Sequence, residues 1–179
     1  MEELSQTDLK ILDELNKEIE YYTGRIKELE DEKKYLHPKY APFNRYSRDI
    51  IGSLNNWVDG WVDWNMVLDT QGGPNWIKNW CVAPVIVDPE KDEVYFTPIY
   101  YTMAHFSKYI RPEAKVIKVN NTDDNLMVTA AKNPDQTIAV VVFNQTQEAK
   151  SIHLVLNDKS VDISISPQAI QTITIPSIQ

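Results

Sequence analysis

The chain has 179 residues, enough for one domain or two small ones but too few for a complete eight-stranded α/β barrel, which takes about 250. Its composition is globular, 42% hydrophobic and 25% charged, and a net charge of -8 with no basic patch argues against counterion-release binding to nucleic acid. A single cysteine, Cys81, excludes an internal disulfide framework, no apolar run reaches the roughly 20 residues of a membrane span, and MEELSQTDLK lacks the basic start and apolar core of a signal peptide.

Residues 4–36 read as one helix. Leu12, Ile19, Ile26 and Lys33 recur every seventh position, and so do Leu15, Tyr22, Leu29 and Leu36, three places later. Both series fall on one seam, the a/d pattern of a coiled coil, with Glu and Lys on the other faces and Lys33 weakening the last turn. Three readings stay open: an amphipathic helix lying on its own domain, an intermolecular coiled coil, or a helix ordered only by a partner. Residues 1–36 also hold eleven acidic and six basic side chains, a sharper imbalance than the rest of the chain, which marks them as a separate part.

Pro38 and Pro42 disfavour helix in the residues before them, so 37–45 reads as a linker. Residues 46–56 look helical again, with Ile50, Ile51 and Leu54 as the apolar face. WVDWNMVL, at 61–68, reads as a strand buried on both faces. Gln71-Gly72-Gly73-Pro74 is a turn, residues 82–98 form two short strands around the polar PEKDE, and 99–110 form an amphipathic helix.

From Lys115 the pattern is all β, with strands expected at 115–119, 125–131, 137–144, 151–156, 160–165 and 169–175. Their separators, such as N-P-D and N-D-K, are turn compositions. Val161, Ile163 and Ile165 alternate with polar residues, which fits an antiparallel sandwich with one wet face per sheet. The unbroken run IAVVVF is expected to be a central strand.

All five tryptophans, at 57, 61, 64, 76 and 80, lie close together with Asp63, Asn65, Asn75 and Asn79. One reading is a local aromatic core. The other is a carbohydrate site, because apolar sugar faces stack on indole while hydroxyls need fixed donors and acceptors. His37, His105 and His153 lack metal-ligand spacing, and no metal or cofactor is expected. Cys81 reads as a packed thiol. Asn120-Asn121-Thr122 and Asn144-Gln145-Thr146 fit the N-glycosylation triplet, which also arises often by chance.

SRDIIGSLNNWVDGWVDWNMVL, then GGPNW, APVIVD and HFSKYI, resemble in order and spacing the end of the catalytic domain of glycoside hydrolase family 30, the glucosylceramidase-like group. From about residue 112 the resemblance continues, more weakly, into that family's β-sandwich; for residues 1–45 none is recognised. With the long N-terminal helix (1–36, a coiled coil in one reading) and the linker (37–45) read from the residues themselves, the expected fold is α+β; the resemblance implies that 46–111 is a remnant of the last βα unit of a TIM barrel and 112–179 a C-terminal antiparallel β-sandwich. In that barrel, 46–56 would be the seventh barrel helix and 61–68 the eighth barrel strand.

The resemblance also implies site residues for substrate. Trp64, in the WxDWN motif, matches a tryptophan that packs on the sugar, Asn79 an asparagine of the same pocket, Trp80 an aromatic position at its mouth, and Asp63 a supporting motif residue. Retention requires two carboxyl groups about 5–5.5 Å apart. The family carries them on its fourth and seventh barrel strands, so no catalytic residue is assigned here and this chain alone is expected to be inactive. The implied substrate of the intact enzyme is a β-glycoside or glucosyl lipid, and its implied location is secreted or lysosomal. A lone barrel strand needs neighbours, so the expected partners are a second copy of the chain, joined through residues 12–36, or a chain carrying the rest of the barrel. The alternative is a non-catalytic carbohydrate- or protein-binding sandwich module oligomerised by its N-terminal helix.

Overall fold

The computed structural model describes residues 40–74 and 81–177, together with Lys17. Apart from Lys17, the residues over which the helix and coiled coil are expected, 4–36, lie outside the described residues.

Helix α1 runs Tyr40–Asn55, so the linker reading of 37–45 is corrected: the helix starts six residues before the expected position. Pro42 does not prevent this, because a first-turn residue has no intrahelical acceptor for its N–H. Phe43, Tyr46, Ser47, Ile50, Ile51 and Leu54 recur at helical spacing and form the inward face. The helix stops where Trp57 turns to φ 68°, and the Val58 amide bonds back to the Ser53 carbonyl at 3.2 Å, the six-to-one bond of a Schellman cap.

Strand β1 is only Val67–Asp69. The expected buried strand over 61–68 is therefore corrected. Residues 61–66 carry no strand assignment, and Val62, Trp64 and Met66 are 91%, 85% and 65% exposed. Strand β1 pairs in parallel with β2 (Val85–Asp88), which pairs antiparallel with β3 (Glu93–Phe96), the expected hairpin. The Asp88 carboxylate accepts the Glu90 and Lys91 amides and shapes its turn. Leu68, Ala83 and Ile86 form a small core against which Cys81, a free thiol, and Tyr95 pack. Helix α2 (Pro98–Ser107) begins at a proline; the hydroxyl of Thr97 just before it points to the carbonyls of Ala83 and Pro84 at 2.9 and 3.0 Å, tying the helix start to the hairpin.

The remaining strands are β4 (Lys115–Ile117), β5 (Leu126–Lys132), β6 (Ile138–Asn144), β7 (Lys150–Leu156), β8 (Lys159–Ile165) and β9 (Ile170–Ile175). They form an antiparallel sheet in the order β4-β5-β6-β9, with β7-β8 as a second, two-stranded layer. The central place of IAVVVF in β6 is as expected. Successive side chains of a strand point to opposite faces. Val140 and Val142 pack with Leu126, Ile152, Leu154 and Ile165 beneath the β7-β8 hairpin. Val141 and Phe143 pack on the other side with Ile50, Ile51 and Phe106 of the two helices.

One wet face per sheet is thus right for the hairpin, where Ser151, His153 and Val155 are exposed. It is wrong for the four-stranded sheet, whose second face lies under the helices. The hairpin covers that sheet incompletely, leaving a cavity of about 730 Å³ lined by Val128, Ala130, Ile152, Leu154 and Ile173.

Polar contacts fix the helices to the sheet. Asn55 Nδ2 donates to the Val128 carbonyl at 2.8 Å, and Asn133 Nδ2 to the Tyr109 carbonyl at 2.9 Å, while Asn133 Oδ1 accepts the Arg111 amide at 2.9 Å. His105 Nδ1 lies 2.9 Å from the Thr172 hydroxyl. Burial pushes this imidazole below its ordinary 6.5, so it sits neutral in the joint at neutral pH.

Because Phe143 is fully buried between helices and sheet, Phe143→Ala is expected to cost about 3–5 kcal/mol. Val161→Ala, on the exposed side of β8, should change stability by less than about 0.5 kcal/mol. Urea unfolding midpoints of the two variants check the contrast, and equal shifts would contradict the two-sided core.

Candidate functional site

The five residues between helix α1 and Trp61 swing the chain back along the helix. From Trp61 to Met66 burial alternates: Trp61, Asp63 and Asn65 are half-buried, while Val62, Trp64 and Met66 are open. A period of two is that of an extended segment with one face packed and one free. The packed face is held by two polar anchors on α1. Trp61 Nε1 donates to Asp49 Oδ2 at 2.8 Å, and the Tyr46 hydroxyl donates to Asp63 Oδ2 at 2.7 Å. Tyr46 and Trp61 also meet edge to face, with ring centroids 5.5 Å apart. Tyr46 and Asp49 are three residues apart on the helix, so both reach the same side.

The electrostatics follow from this packing. Burial, and then the negative charge and hydrogen bond of Asp63, push the Tyr46 phenol from 10.0 up to about 12. The Arg45 guanidinium lies 5.5 Å from the Tyr46 ring centroid and pulls weakly the other way. Tyr46 is therefore a protonated donor throughout the physiological range, and Asp63 an acceptor committed to it.

After β1 the chain turns at Asp69, whose Oδ1 accepts the amides of Gln71 and Gly73, each at 2.8 Å. Gly72 takes φ 70°, a left-handed conformation for which glycine is suited. The turn leads into 75–80, which holds Asn79 and Trp80; both lie outside the described residues.

Of the four expected site residues, the structure thus places two. Asp63 is an anchor beneath the segment, and Trp64 presents its indole on the opposite face. A solvent-facing indole can stack on an apolar sugar face. The sequence reading missed Tyr46 and Asp49. The signal lay in the helical stripe itself: extended back to Phe43, it puts Tyr46 among the buried positions, where a phenol needs a hydrogen-bond partner. Among the described residues no group of three His, Cys, Asp or Glu side chains could hold a metal ion.

Residues 21–110 match the glycosyl hydrolase family 30 TIM-barrel domain, and residues 113–173 match the glycosyl hydrolase family 30 beta sandwich domain. The chain belongs to glycosyl hydrolase family 30. The barrel match begins at residue 21, inside the stretch in which no resemblance was recognised. Lysosomal acid glucosylceramidase of Mus musculus is 39% identical over 127 residues, covering 69% of this chain and 24% of the mouse protein. An endo-1,6-beta-D-glucanase of Neurospora crassa is 28% identical over 132 residues, covering 69% of this chain and 27% of its own length. The crystal structure of SrfJ from Salmonella typhimurium superposes with a TM-score of 0.77 at 27% identity, covering 79% of this chain and 32% of SrfJ. The chain spans about a quarter of the length of the curated relatives it matches.

A phenol whose folded pKa is raised stabilises the fold fully below about pH 10 and loses that contribution as pH rises through about 12. Stability is therefore expected to fall between these values. Tyr46→Phe should flatten the decline, and Asp63→Asn should bring the Tyr46 transition back toward 10. Phenolate absorbance, taken as a difference from Tyr46→Phe, measures it; a Tyr46 titration unmoved by Asp63→Asn would break the assigned coupling.

Proposed function

We propose that this chain is the C-terminal part of a glucosylceramidase-like retaining β-glycosidase and forms one wall of its sugar pocket. In this reading Trp64 stacks on the sugar, Asn79 hydrogen-bonds to it, Trp80 borders the mouth, and Asp63 holds the segment from below. The substrate is a β-glycoside of the glucosyl-lipid type. Supporting the reading is the family membership together with one observation: Trp64 is 85% exposed on a segment whose other face is pinned by two hydrogen bonds.

The same anchoring bears on catalysis. Retention needs two free carboxyl groups facing one anomeric carbon, about 5–5.5 Å apart. The two carboxylates hydrogen-bonded in this segment's packing, Asp49 and Asp63, each accept an aromatic donor on the face turned from Trp64. We therefore assign no acid/base or nucleophile role to Asp49 or Asp63, and in this reading the two catalytic carboxyl groups are carried by other barrel strands. The implied partner is polypeptide carrying the rest of a barrel.

The chain alone should give no detectable hydrolysis of an aryl β-glucoside. Weak binding of methyl β-glucoside, read by indole fluorescence, should fall about tenfold in Trp64→Ala, equivalent to about 1.4 kcal/mol. Turnover abolished by a single Glu→Gln change would overturn the assignment of the carboxylates to other polypeptide. Binding unchanged in Trp64→Ala would remove Trp64 from the pocket. Binding retained by residues 112–179 alone would favour a sugar-binding sandwich module instead.

A further inference from the structure

The two Asn-x-Thr triplets look equivalent in the sequence, at 120–122 and 144–146, but the fold makes them opposites. N-glycosylation requires an asparagine whose amide nitrogen is reachable and which can carry a bulky, hydrated oligosaccharide in the folded protein.

Asn144 meets neither condition. It is 0% exposed at the end of β6. Its Nδ2 donates to the Glu148 carbonyl at 2.7 Å and to the Ser166 carbonyl at 3.0 Å, which uses both amide hydrogens. Its Oδ1 accepts the Thr146 amide at 3.0 Å and lies 2.8 Å from the Thr146 hydroxyl. The Asn144 backbone amide donates to the Ala169 carbonyl at 2.9 Å. Asn144 is the fastener joining the β6–β7 and β8–β9 connections. A glycan on Nδ2 would replace one of its hydrogens and enter a space with no opening.

Asn120 meets both. It lies in the irregular stretch between β4 and β5, and Asn120 and Thr122 are both exposed. The loop is shaped by its other members. Asn121 Nδ2 donates to the carbonyls of Asp123 and Leu126 at 3.0 and 2.8 Å, and Asn121 Oδ1 accepts the Asp123 amide at 3.2 Å. The Asp123 carboxylate pairs with Lys150 at 3.2 Å, fixing the loop to the start of β7. Substitution at Asn120 therefore costs the loop none of these contacts.

We propose that Asn120 is an N-glycan attachment site and that Asn144 is a triplet closed by folding. The assignment stands on the sandwich alone and does not depend on the glycosidase reading. The donor class is an oligosaccharide linked to a polyprenyl pyrophosphate. The Asn120 Nδ2–C1 bond forms as the C1–oxygen bond to the pyrophosphate breaks; the pyrophosphate leaves with the electron pair, and one amide proton passes to base in the transferase.

The test is expression of the full chain behind a cleavable secretion leader in eukaryotic cells, with leader removal confirming entry. Mobility is compared before and after peptide N-glycosidase, and the converted asparagine is located by peptide mass spectrometry. One glycan is expected, with conversion to aspartate at position 120. Asn120→Gln and, independently, Thr122→Val should each abolish the mobility shift while leaving the yield of folded chain unchanged. Asn144→Gln should keep the shift and lower the unfolding midpoint. A leader-processed chain without glycan, or a glycan on Asn144 in folded protein, would overturn the proposal.

Discussion

The structure depends on the burial of β6 from both sides. A strand on a half-wet sheet needs apolar residues at every second place; a strand between two layers needs them at every place. In β6 the even members Val140 and Val142 meet the β7-β8 hairpin, and the odd members Val141 and Phe143 meet α1 and α2. One six-residue run thereby joins a sandwich to a pair of helices whose sequence belongs to a barrel domain. The polar contacts around it, through Asn55, Asn133 and His105, set the rotation of the helices on the sheet. These groups are directional, and the buried Asn133 amide would be costly if unpaired, so they define geometry that apolar packing leaves loose.

That rotation reaches the candidate site through α1. Ile50 and Ile51 lock the helix onto β6, while Tyr46 and Asp49 project to the segment 61–66. The position of Trp64 is thus referred to the sandwich core through one helix. Loosening the sandwich would change the aim of the indole without touching any residue near it.

Much of this was legible in the sequence. The six sandwich strands were placed to within a residue or two because their ends carry side chains that make the turns, such as Asp135, whose carboxylate accepts the Thr137 amide. The failures have a common cause. WVDWNMVL has the residues of a buried strand, yet burial needs neighbouring strands, and composition does not say whether the same chain supplies them. Pro42 reads as a helix breaker in the sequence alone, because its effect depends on where the first turn begins, a matter of one or two residues. Setting the helix start at Tyr46 then hid that residue's role, since a terminal tyrosine is not expected to lie on the buried stripe. The anchors Tyr46–Asp63 and Asp49–Trp61 join positions 17 and 12 apart, and nothing in local periodicity pairs them.

The pleat itself explains why Asp63 and Trp64 must be neighbours. Adjacent residues of an extended chain face opposite ways, so anchoring one from beneath presents the next one above. In Trp61-Val62-Asp63-Trp64 the first and third members are held by α1, and the fourth is thereby turned outward. The two tryptophans are chemically alike, and their opposite roles come only from parity. Inserting one residue between Asp63 and Trp64 would carry the presented indole to the packed side while both anchors stayed satisfied. Deleting Val62 would set Trp61 and Asp63 on opposite faces, so Trp64 would point outward only if Trp61 gave up its partner on the helix. The exposure of Trp64 is therefore a consequence of where its neighbours bind, and the hydrogen bonds beneath the segment are as much a part of the site as the ring above it.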